Sequence, residues 1–353
     1  MAGLTVQGTV IRGIASAVPK ATQSVEDLAK LFGPEEAEKI AQATGVRVRR
    51  VGRAGLCCSD LCLAACESLL KGLAWERGSI DALLFVSHSF DYPLPATSCL
   101  LQDRLGLPQS CAAFDVGLGC SGYIYGLWIG AGLIASGCKR VLVLAGEMAS
   151  RMASPLDRMT VPLFGDAGTA TALESGAGSP MHFELGTDGG GYRHLIVPAG
   201  TATARVPHSA QTLARARQAD ANIRCEEDLF MNGAEVFAFT LRQVPPLVSA
   251  VLKRSQWERE HVDFFFLHQA NKFILVHLAR RMGLPPEKVP IVLEHYGNTS
   301  SASIPLAMTH SARESLARRK LKLVLAGFGV GLSWGACAVE SGPIVAPALV
   351  EVP

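Results

Sequence analysis

Residues 140–146 read R-V-L-V-L-A-G and residues 321–327 read L-K-L-V-L-A-G. Each is a short apolar run closed by glycine, as expected of a strand covered on both faces. Working outward from either run gives the same order of elements. Upstream of the first, S-I-D-A-L-L-F-V-S-H (79–88) leads through a polar loop to a helix ending R-L-G-L-P (104–108). Upstream of the second, H-V-D-F-F-F-L-H-Q-A (261–270) leads to a helix ending R-M-G-L-P (281–285). Gly106 and Gly283 suit left-handed helix ends, and a proline follows each. Between come C-A-A-F-D-V (111–116), a Gly/Cys loop and a long helix in one half. The other half has V-P-I-V-L-E-H-Y (289–296), a G-N-T-S loop and a helix. The chain is therefore a duplication. Strands alternating with helices predict βαβ units, so an α/β fold of two halves with mixed, mostly parallel sheets is expected. The expected halves are residues 1–175 and 231–353. Residues 176–230, rich in Gly, Ala and Arg, are expected to form connecting strands and a long surface loop.

The bulk composition fits a well-buried enzyme: 353 residues, 49% hydrophobic, 18% charged, 35 glycines. A net charge of +2 provides no field for nucleic acid. Ten cysteines without paired spacing predict free thiols in a reducing, cytoplasmic setting. Cys57, Cys58, Cys62 and Cys66 stand mostly four apart with no histidine nearby, so they read as one buried helix stripe rather than a metal site. The uncharged stretch between Asp115 and Lys139 opens in G-L-G-C-S-G, and its apolar remainder is short of the ~20 residues a membrane span needs. It is expected to be a helix in the middle of the protein.

Chemistry concentrates where loops leave the strands' carboxyl ends. Cys120 follows A-F-D-V and opens the helix S-G-Y-I-Y-G-L. A thiol at a helix N-terminus is expected to have a lowered pKa and to act as a nucleophile. His268 ends the run D-F-F-F-L, and Asn298 lies in H-Y-G-N-T-S. Alone, that histidine is as often structural as functional, and the asparagine reads as a turn residue. As a set on three converging loops, they can polarise a thioester oxygen beside a nucleophile. The duplication sets Cys120 and Asn298 in corresponding loops, facing across a pseudo-twofold axis. The G-F-G-V-G loop (327–331) offers further backbone N–H groups.

A-F-D-V-G-L-G-C-S-G-Y-I-Y-G (113–126), F-G-D-A-G (164–168), M-N-G-A-E-V-F (231–237), H-Q-A-N (268–271), G-N-T-S-S-A-S-I-P (297–305) and G-F-G-V-G-L-S-W-G (327–335) occur in that order. Through these motifs the chain resembles the β-ketoacyl-acyl carrier protein synthase III family over nearly its whole length. The resemblance implies a thiolase-like five-layered αβαβα fold, a homodimer, and no cofactor beyond acyl thioesters of coenzyme A or acyl carrier protein. It implies that Cys120 takes an acyl group and that His268 and Asn298 promote decarboxylation of a malonyl carrier protein. The N–H groups of Cys120 and Val330 would form the oxyanion hole. It places Thr44, Arg158, Asn271 and Phe164 among substrate- or pantetheine-binding residues, with His88 and Leu94 shaping the acyl tunnel. Lys272, Arg280 and Arg281, on the helix after H-Q-A-N, are expected to meet the acidic carrier protein.

Some positions depart from that pattern. Where members using coenzyme A carry a tryptophan that stacks on adenine and an arginine nearby, this chain has Lys39 and Ala43, and Phe273 replaces a further arginine. Losing an aromatic stack and two cations weakens a coenzyme A donor by about 1 kcal/mol or more each. That points away from acetyl-coenzyme A and toward a carrier-protein donor or an unusual acyl-coenzyme A. The tunnel segment S-H-S-F-D-Y-P-L-P (87–95) is also altered. The alternative reading is an acyltransferase passing the Cys120 acyl group to a hydroxyl or amine.

Overall fold

The computed structural model describes residues 1–201 and 203–353. Residue 202, inside the expected connection, lies outside the described residues. The strands are β1 (Ala2–Val6), β2 (Thr9–Pro19), the ribbon β3 (Thr22–Ser24) with β4 (Val48–Arg50), then β5 (Ala82–Val86), β6 (Ala112–Val116), β7 (Arg140–Met148), β8 (Asp166–Ser175) and β9 (Met181–Thr187). Two-residue strands β10 (Leu195–Ile196), β11 (Ala216–Arg217), β12 (Ile223–Arg224) and β13 (Phe230–Met231) follow. The last are β14 (Phe264–Leu267), β15 (Leu321–Gly329), β16 (Ser333–Ser341) and β17 (Val350–Val352). The helices are α1 (Val25–Phe32), α2 (Pro34–Thr44), α3 (Cys58–Leu73), α4 (Thr97–Arg104), α5 (Gly122–Ala135), α6 (Gly233–Ser255), α7 (Lys272–Met282), α8 (Leu293–Tyr296), α9 (Ser303–Ser311) and α10 (Arg313–Arg318).

Two sheets carry the fold, one in the order β17-β2-β8-β7-β5-β6 and the other β1-β9-β16-β15-β14. The duplication is visible in the ladders: β5 pairs parallel with β7, and β7 antiparallel with β8. Likewise β14 pairs parallel with β15, and β15 antiparallel with β16. Five layers follow from how the apolar faces pair. Ile124, Leu127 and Ala131 of α5 and Ile304, Ala307 and Met308 of α9 share one core with both sheets. Leu61, Cys62 and Leu69 of α3 cover the outer face of the first sheet. Val248 and Val251 of α6 and Leu275 and Leu278 of α7 cover the outer face of the second. α5 buries Tyr123, Ile124, Leu127 and Ala131 between the sheets, which accounts for that face of the uncharged run, while Tyr125, Trp128, Ile129 and Leu133 on its other side are half-buried and Gly132 is exposed. Among the described residues no helix is long and apolar enough to cross a membrane. Cys58, Cys62 and Cys66 are buried on α3, as their spacing predicted, whereas Cys57 stands before the helix as its N-cap and is half-buried.

Three expectations need correction. The first sheet is mixed and mostly parallel, with three parallel ladders of five and β8 antiparallel to both its neighbours. The second is not: only β14–β15 of its four ladders is parallel, and β15 turns straight back into β16 through Val330–Leu332, a connection so short that it can join only an antiparallel pair. Residues 289–296 do not form a strand matching β6. Pro290 has no N–H for a ladder, and the segment ends in the short helix α8. The boundaries also differ: β1 belongs to the second sheet, β17 to the first, and β9, within the expected connection, is an inner strand of the second. The two ends of the chain thus tie the halves together. In the rest of the connection, β10 pairs with β13 and β11 with β12 as small ribbons.

Ile124 is fully buried, and its side chain fills the space over both Gly327 and Gly335. Ile124→Ala opens a cavity between the sheets and is expected to destabilise the protein by about 2–5 kcal/mol. Urea unfolding followed by circular dichroism measures this.

Candidate active site

The two middle-layer helices deliver the site. Cys120 sits just before the N-cap of α5, Ser121, whose hydroxyl pairs with that of Ser333 at 2.6 Å and ties this end to β16. Across the pseudo-twofold axis, Asn298 to Ala302 lead into α9. There the Ser301 hydroxyl donates to the carbonyls of Gly146 (2.9 Å) and Val86 (3.2 Å), at or near the ends of β7 and β5. The loop of one half is thus fastened to the strand ends of the other.

The Cys120 side chain packs directly on Gly329, where a Cβ would stand 2.7 Å from Cys120 Cβ and 2.9 Å from its Sγ. Only glycine leaves that space. The backbone amides of Val330 and of Cys120 itself face the sulfur, so the two donors expected to form an oxyanion hole lie beside the Cys120 thiol. The thiol is 6% exposed. Its pKa does not follow the expectation from the helix end. Burial, which penalises the thiolate, pushes it up, while the Ser300 hydroxyl and the two amides pull the other way.

His268 is 2% exposed, and its Nδ1 lies 2.7 Å from the Ser303 hydroxyl. The amide of Gln269 donates to that same hydroxyl oxygen at 3.4 Å. The ring also meets the Ser300 carbonyl, which can only accept, so the imidazole proton is assigned to Nε2 and Nδ1 accepts from Ser303. Burial lowers the His268 pKa to about 3, so the ring is neutral and Nε2–H is a donor. Asn298 accepts the Ser300 amide on Oδ1 at 2.9 Å and donates through Nδ2 to the Ala270 carbonyl at 3.3 Å. An amide group has two N–H bonds, so one more is available to a substrate oxygen. Two donors, one from His268 and one from Asn298, can hold the oxygen of an enolate without carrying any charge.

A cavity of about 690 Å³ opens over this centre. Cys120, Ser300, Val330, Phe164 and His88 line it, with Met148, Met152, Leu195 and Leu229 giving it an apolar wall. His268 and Asn298 lie behind Ser300, which sequence reasoning did not single out. The hydroxyl of Ser300 is 3.8 Å from Cys120 Sγ, and its carbonyl faces His268. Neither Ser300 nor Ser303 stands out in a serine-rich run, and only the fold tells which serine turns inward. Glu147 was also missed. It is 1% exposed, and its Oε1 accepts from Ser89 (2.6 Å), Ser87 (3.1 Å) and the His88 amide.

The other expected residues fall into place less directly. Phe164 lines the cavity and its backbone bridges Asn298. Asn271 caps α7, its Oδ1 accepting from the Ile274 amide at 2.7 Å. Thr44 closes α2 by donating to the Ile40 carbonyl. Neither lines the cavity, nor do Arg158 and Leu94. Arg158 stacks over Phe32 with 5.9 Å to the ring centroid, and Leu94 is 81% exposed. Lys272 opens α7 and packs on Gly45, while Arg280 and Arg281 are exposed at the far end of the same helix. They line a second depression of about 890 Å³ together with Lys253, Arg259, Glu258 and Glu260. Phe273 lies against His277, with 4.1 Å between ring centroids.

The depressed pKa of His268 has a measurable sign. The unfolded chain binds that proton near pH 6.5 and the folded one only near 3. The neutral ring therefore contributes stability fully above about pH 6.5, and that contribution is lost as the pH falls toward 3. Nitrogen-15 NMR of the imidazole is expected to show His268 neutral, protonated at Nε2, down to about pH 4. A ring that titrates near 6.5 would contradict the buried geometry.

Two family models match stretches of this chain. The model for 3-oxoacyl-(acyl-carrier-protein (ACP)) synthase III matches residues 114–189, and the model for its C-terminal part matches residues 252–341. A β-ketoacyl-(acyl-carrier-protein) synthase III from Symbiobacterium thermophilum is 35% identical, over 94% of this chain and 98% of that protein. A synthase III from Streptomyces coelicolor is also 35% identical, over 97% of this chain and 99% of the relative. The crystal structure of a 3-oxoacyl-(acyl-carrier protein) synthase from Burkholderia xenovorans LB400 superimposes with a TM-score of 0.94 at 43% identity, covering 99% of both chains. With 35% identity across almost its whole length, this chain belongs to the β-ketoacyl-acyl carrier protein synthase III family of thiolase-fold condensing enzymes.

Proposed function

We propose that this protein carries an acyl group on Cys120 and condenses it, with loss of carbon dioxide, onto a malonyl group held by an acyl carrier protein. The observation that carries the reading is the convergence of Cys120, His268 and Asn298 on Ser300, beside amides aimed at the sulfur. In the first step the Cys120 sulfur bonds to the donor's thioester carbon. The donor C–S bond breaks, and the donor sulfur leaves with the proton given up by Cys120. The amides of Cys120 and Val330 hold the oxyanion in between. In the second step the malonyl C–C bond breaks to release carbon dioxide. Its electron pair becomes an enolate whose oxygen His268 Nε2–H and Asn298 Nδ2–H hold. The enolate carbon attacks the acyl carbonyl, and Cys120 leaves as thiolate. No resident cofactor is needed for either step.

The donor is read as something other than acetyl-coenzyme A. Lys39 and Ala43 supply no aromatic stack, and Ala43 and Phe273 leave fewer cations for a nucleotide. A homodimer is supported by β6, which is the outer strand of its sheet. It leaves a free hydrogen-bonding edge beside exposed Phe114, Phe90 and Tyr92, a surface that otherwise invites unwanted pairing.

Intact-mass spectra with a panel of acyl-coenzyme A and acyl carrier protein donors test the reading. Cys120→Ala is expected to abolish acylation. His268→Ala and Asn298→Ala are expected to keep acylation and lose at least a hundredfold in malonyl decarboxylation, by analogy with removing an oxyanion donor. A wild-type enzyme that is acylated but never decarboxylates malonyl carrier protein would shift the reading to acyl transfer onto a hydroxyl or amine.

For the carrier protein we propose that Arg280 and Arg281, with Lys272 at the other end of α7, form the docking face. Arg280→Glu combined with Arg281→Glu is expected to raise KM for malonyl carrier protein severalfold. The effect should shrink with salt, since exposed charges are screened beyond about 10 Å at 0.1 M. An unchanged, salt-insensitive KM would place docking elsewhere.

A further inference from the structure

Among the described residues, four that are not glycine have a left-handed backbone: Ala74, Ala221, Gln256 and Ser300. Ala74 and Gln256 end helices, and Ala221 lies in the turn between β11 and β12. In such places the conformation is common. Ser300 differs. It is 7% exposed, at the catalytic centre, with φ at 50°, where glycine would be unstrained and any side chain carries a cost. A buried residue kept in that conformation needs something its side chain does in return.

That side chain has one protein hydrogen-bonding partner among the described residues, the sulfur of Cys120 at 3.8 Å. The left-handed turn makes this possible. It lets the Ser300 amide bind Asn298 Oδ1 at 2.9 Å while the hydroxyl turns back across the axis toward the other half. Gly119 adjoins the same hydroxyl, which would stand 3.1 Å from a Cβ built there, so the approach of Ser300 is unobstructed only because residue 119 has no side chain.

We propose that Ser300 is a catalytic hydrogen-bond donor to the Cys120 sulfur, stabilising the thiolate as it forms to attack the donor and again as it leaves the product. The inference rests on the reading of Cys120 as the acyl carrier. When the S–C bond of the acyl-enzyme breaks, the electron pair stays on sulfur, where the Ser300 hydroxyl meets it. The surroundings make such a donor necessary. Glu147, at the end of β7, opposes the thiolate, and burial does so more strongly. His268, from the end of β14, is neutral and turned to Ser303 and Ser300. His88, from the loop after β5, edges the cavity beside Gly119. Against these, the thiolate is favoured by the amides of Val330 and Cys120 and by this one side chain.

The test measures Cys120 directly. Alkylation by iodoacetamide, read at Cys120 by peptide mass spectrometry, is followed against pH in wild type, Ser300→Ala and Ser300→Gly. Both variants are expected to move the midpoint up by roughly one pH unit, with alkylation about tenfold slower below it, as fits a hydrogen bond to a charged acceptor. Ser300→Gly is the decisive variant, because glycine suits the left-handed backbone and keeps the amide that binds Asn298. Its unfolding midpoint is expected to be no lower than that of wild type. A midpoint unchanged in both variants would overturn the proposal. So would a shift in Ser300→Ala that Ser300→Gly cancels, since the backbone and not the hydroxyl would then be responsible. If wild type is never acylated by any thioester, the acyl-carrier reading falls while the alkylation profile still decides the role of Ser300.

Discussion

The structure depends on the packing of two helices between two sheets. α5 and α9 lie between the sheets, sharing one core with both. Their enclosure fixes where their N-terminal ends emerge: at the carboxyl ends of the strands, facing each other across the pseudo-twofold axis. A shift of either helix would have to move a close-packed layer, which such interiors resist. Cys120 and the Asn298–Ser301 loop are placed by that packing. Hydrogen bonds from Ser121 to Ser333, and from Ser301 to Val86 and Gly146, then fasten each loop to a strand or strand end. Activity and stability therefore share the same buried layer.

Much of this was legible in the sequence because duplication and periodicity are one-dimensional signals. The repeated L-V-L-A-G marks β7 and β15, and the uncharged run marks a helix packed between the sheets. Cys120 and His268 stand out as chemically distinctive residues in loops that follow strands, and Asn298 by its place in the corresponding loop of the repeat, although that loop follows the short helix α8. What escaped depends on the third dimension. The pairing of β1 with β9, across most of the first half of the sequence, leaves no local trace, and neither does the crossing of β17 to the other sheet. Residues 289–296 have strand-like hydropathy, yet Pro290 removes a ladder donor. Asn271 sits in a motif with His268 and nevertheless serves as a helix cap. Ser300 and Ser303 lie three apart in one run, and only the left-handed turn at Ser300 sends its hydroxyl to the sulfur while that of Ser303 supports the imidazole.

The electrostatics of the centre follow from its burial. With His268 neutral and the Cys120 thiol pushed up, no cation among the described residues acts on the Cys120 sulfur; Arg151 lines the cavity but donates to the Arg53 carbonyl. Arg49, the nearby buried guanidinium, is occupied by the carbonyl of Phe164 and the side chain of Gln23. What remains are dipoles: two amides at the sulfur, an imidazole N–H, an amide N–H of Asn298 and a hydroxyl. Groups of this kind need no reorganisation when charge appears, and they act more strongly where water is excluded. A cationic imidazole would stabilise an enolate better in isolation, but in this interior its own desolvation would exceed the gain.

The same reasoning explains Glu147, which burial pushes toward its protonated form while Ser87, Ser89 and the His88 amide oppose that. Its Oε1 gathers all three donors, fixing residues 87–89 against the end of β7. That short turn sets where the following Phe90 and Asp91 border the cavity. One wall of the cavity is thus set by a carboxylate held by its own strand ends, while Leu195, Leu229, Ser300 and Val330 close it from later in the chain. Changes around residues 87–95 can therefore reshape that wall without touching His268 or Asn298, which are held by Ser303, Ser300 and Ala270.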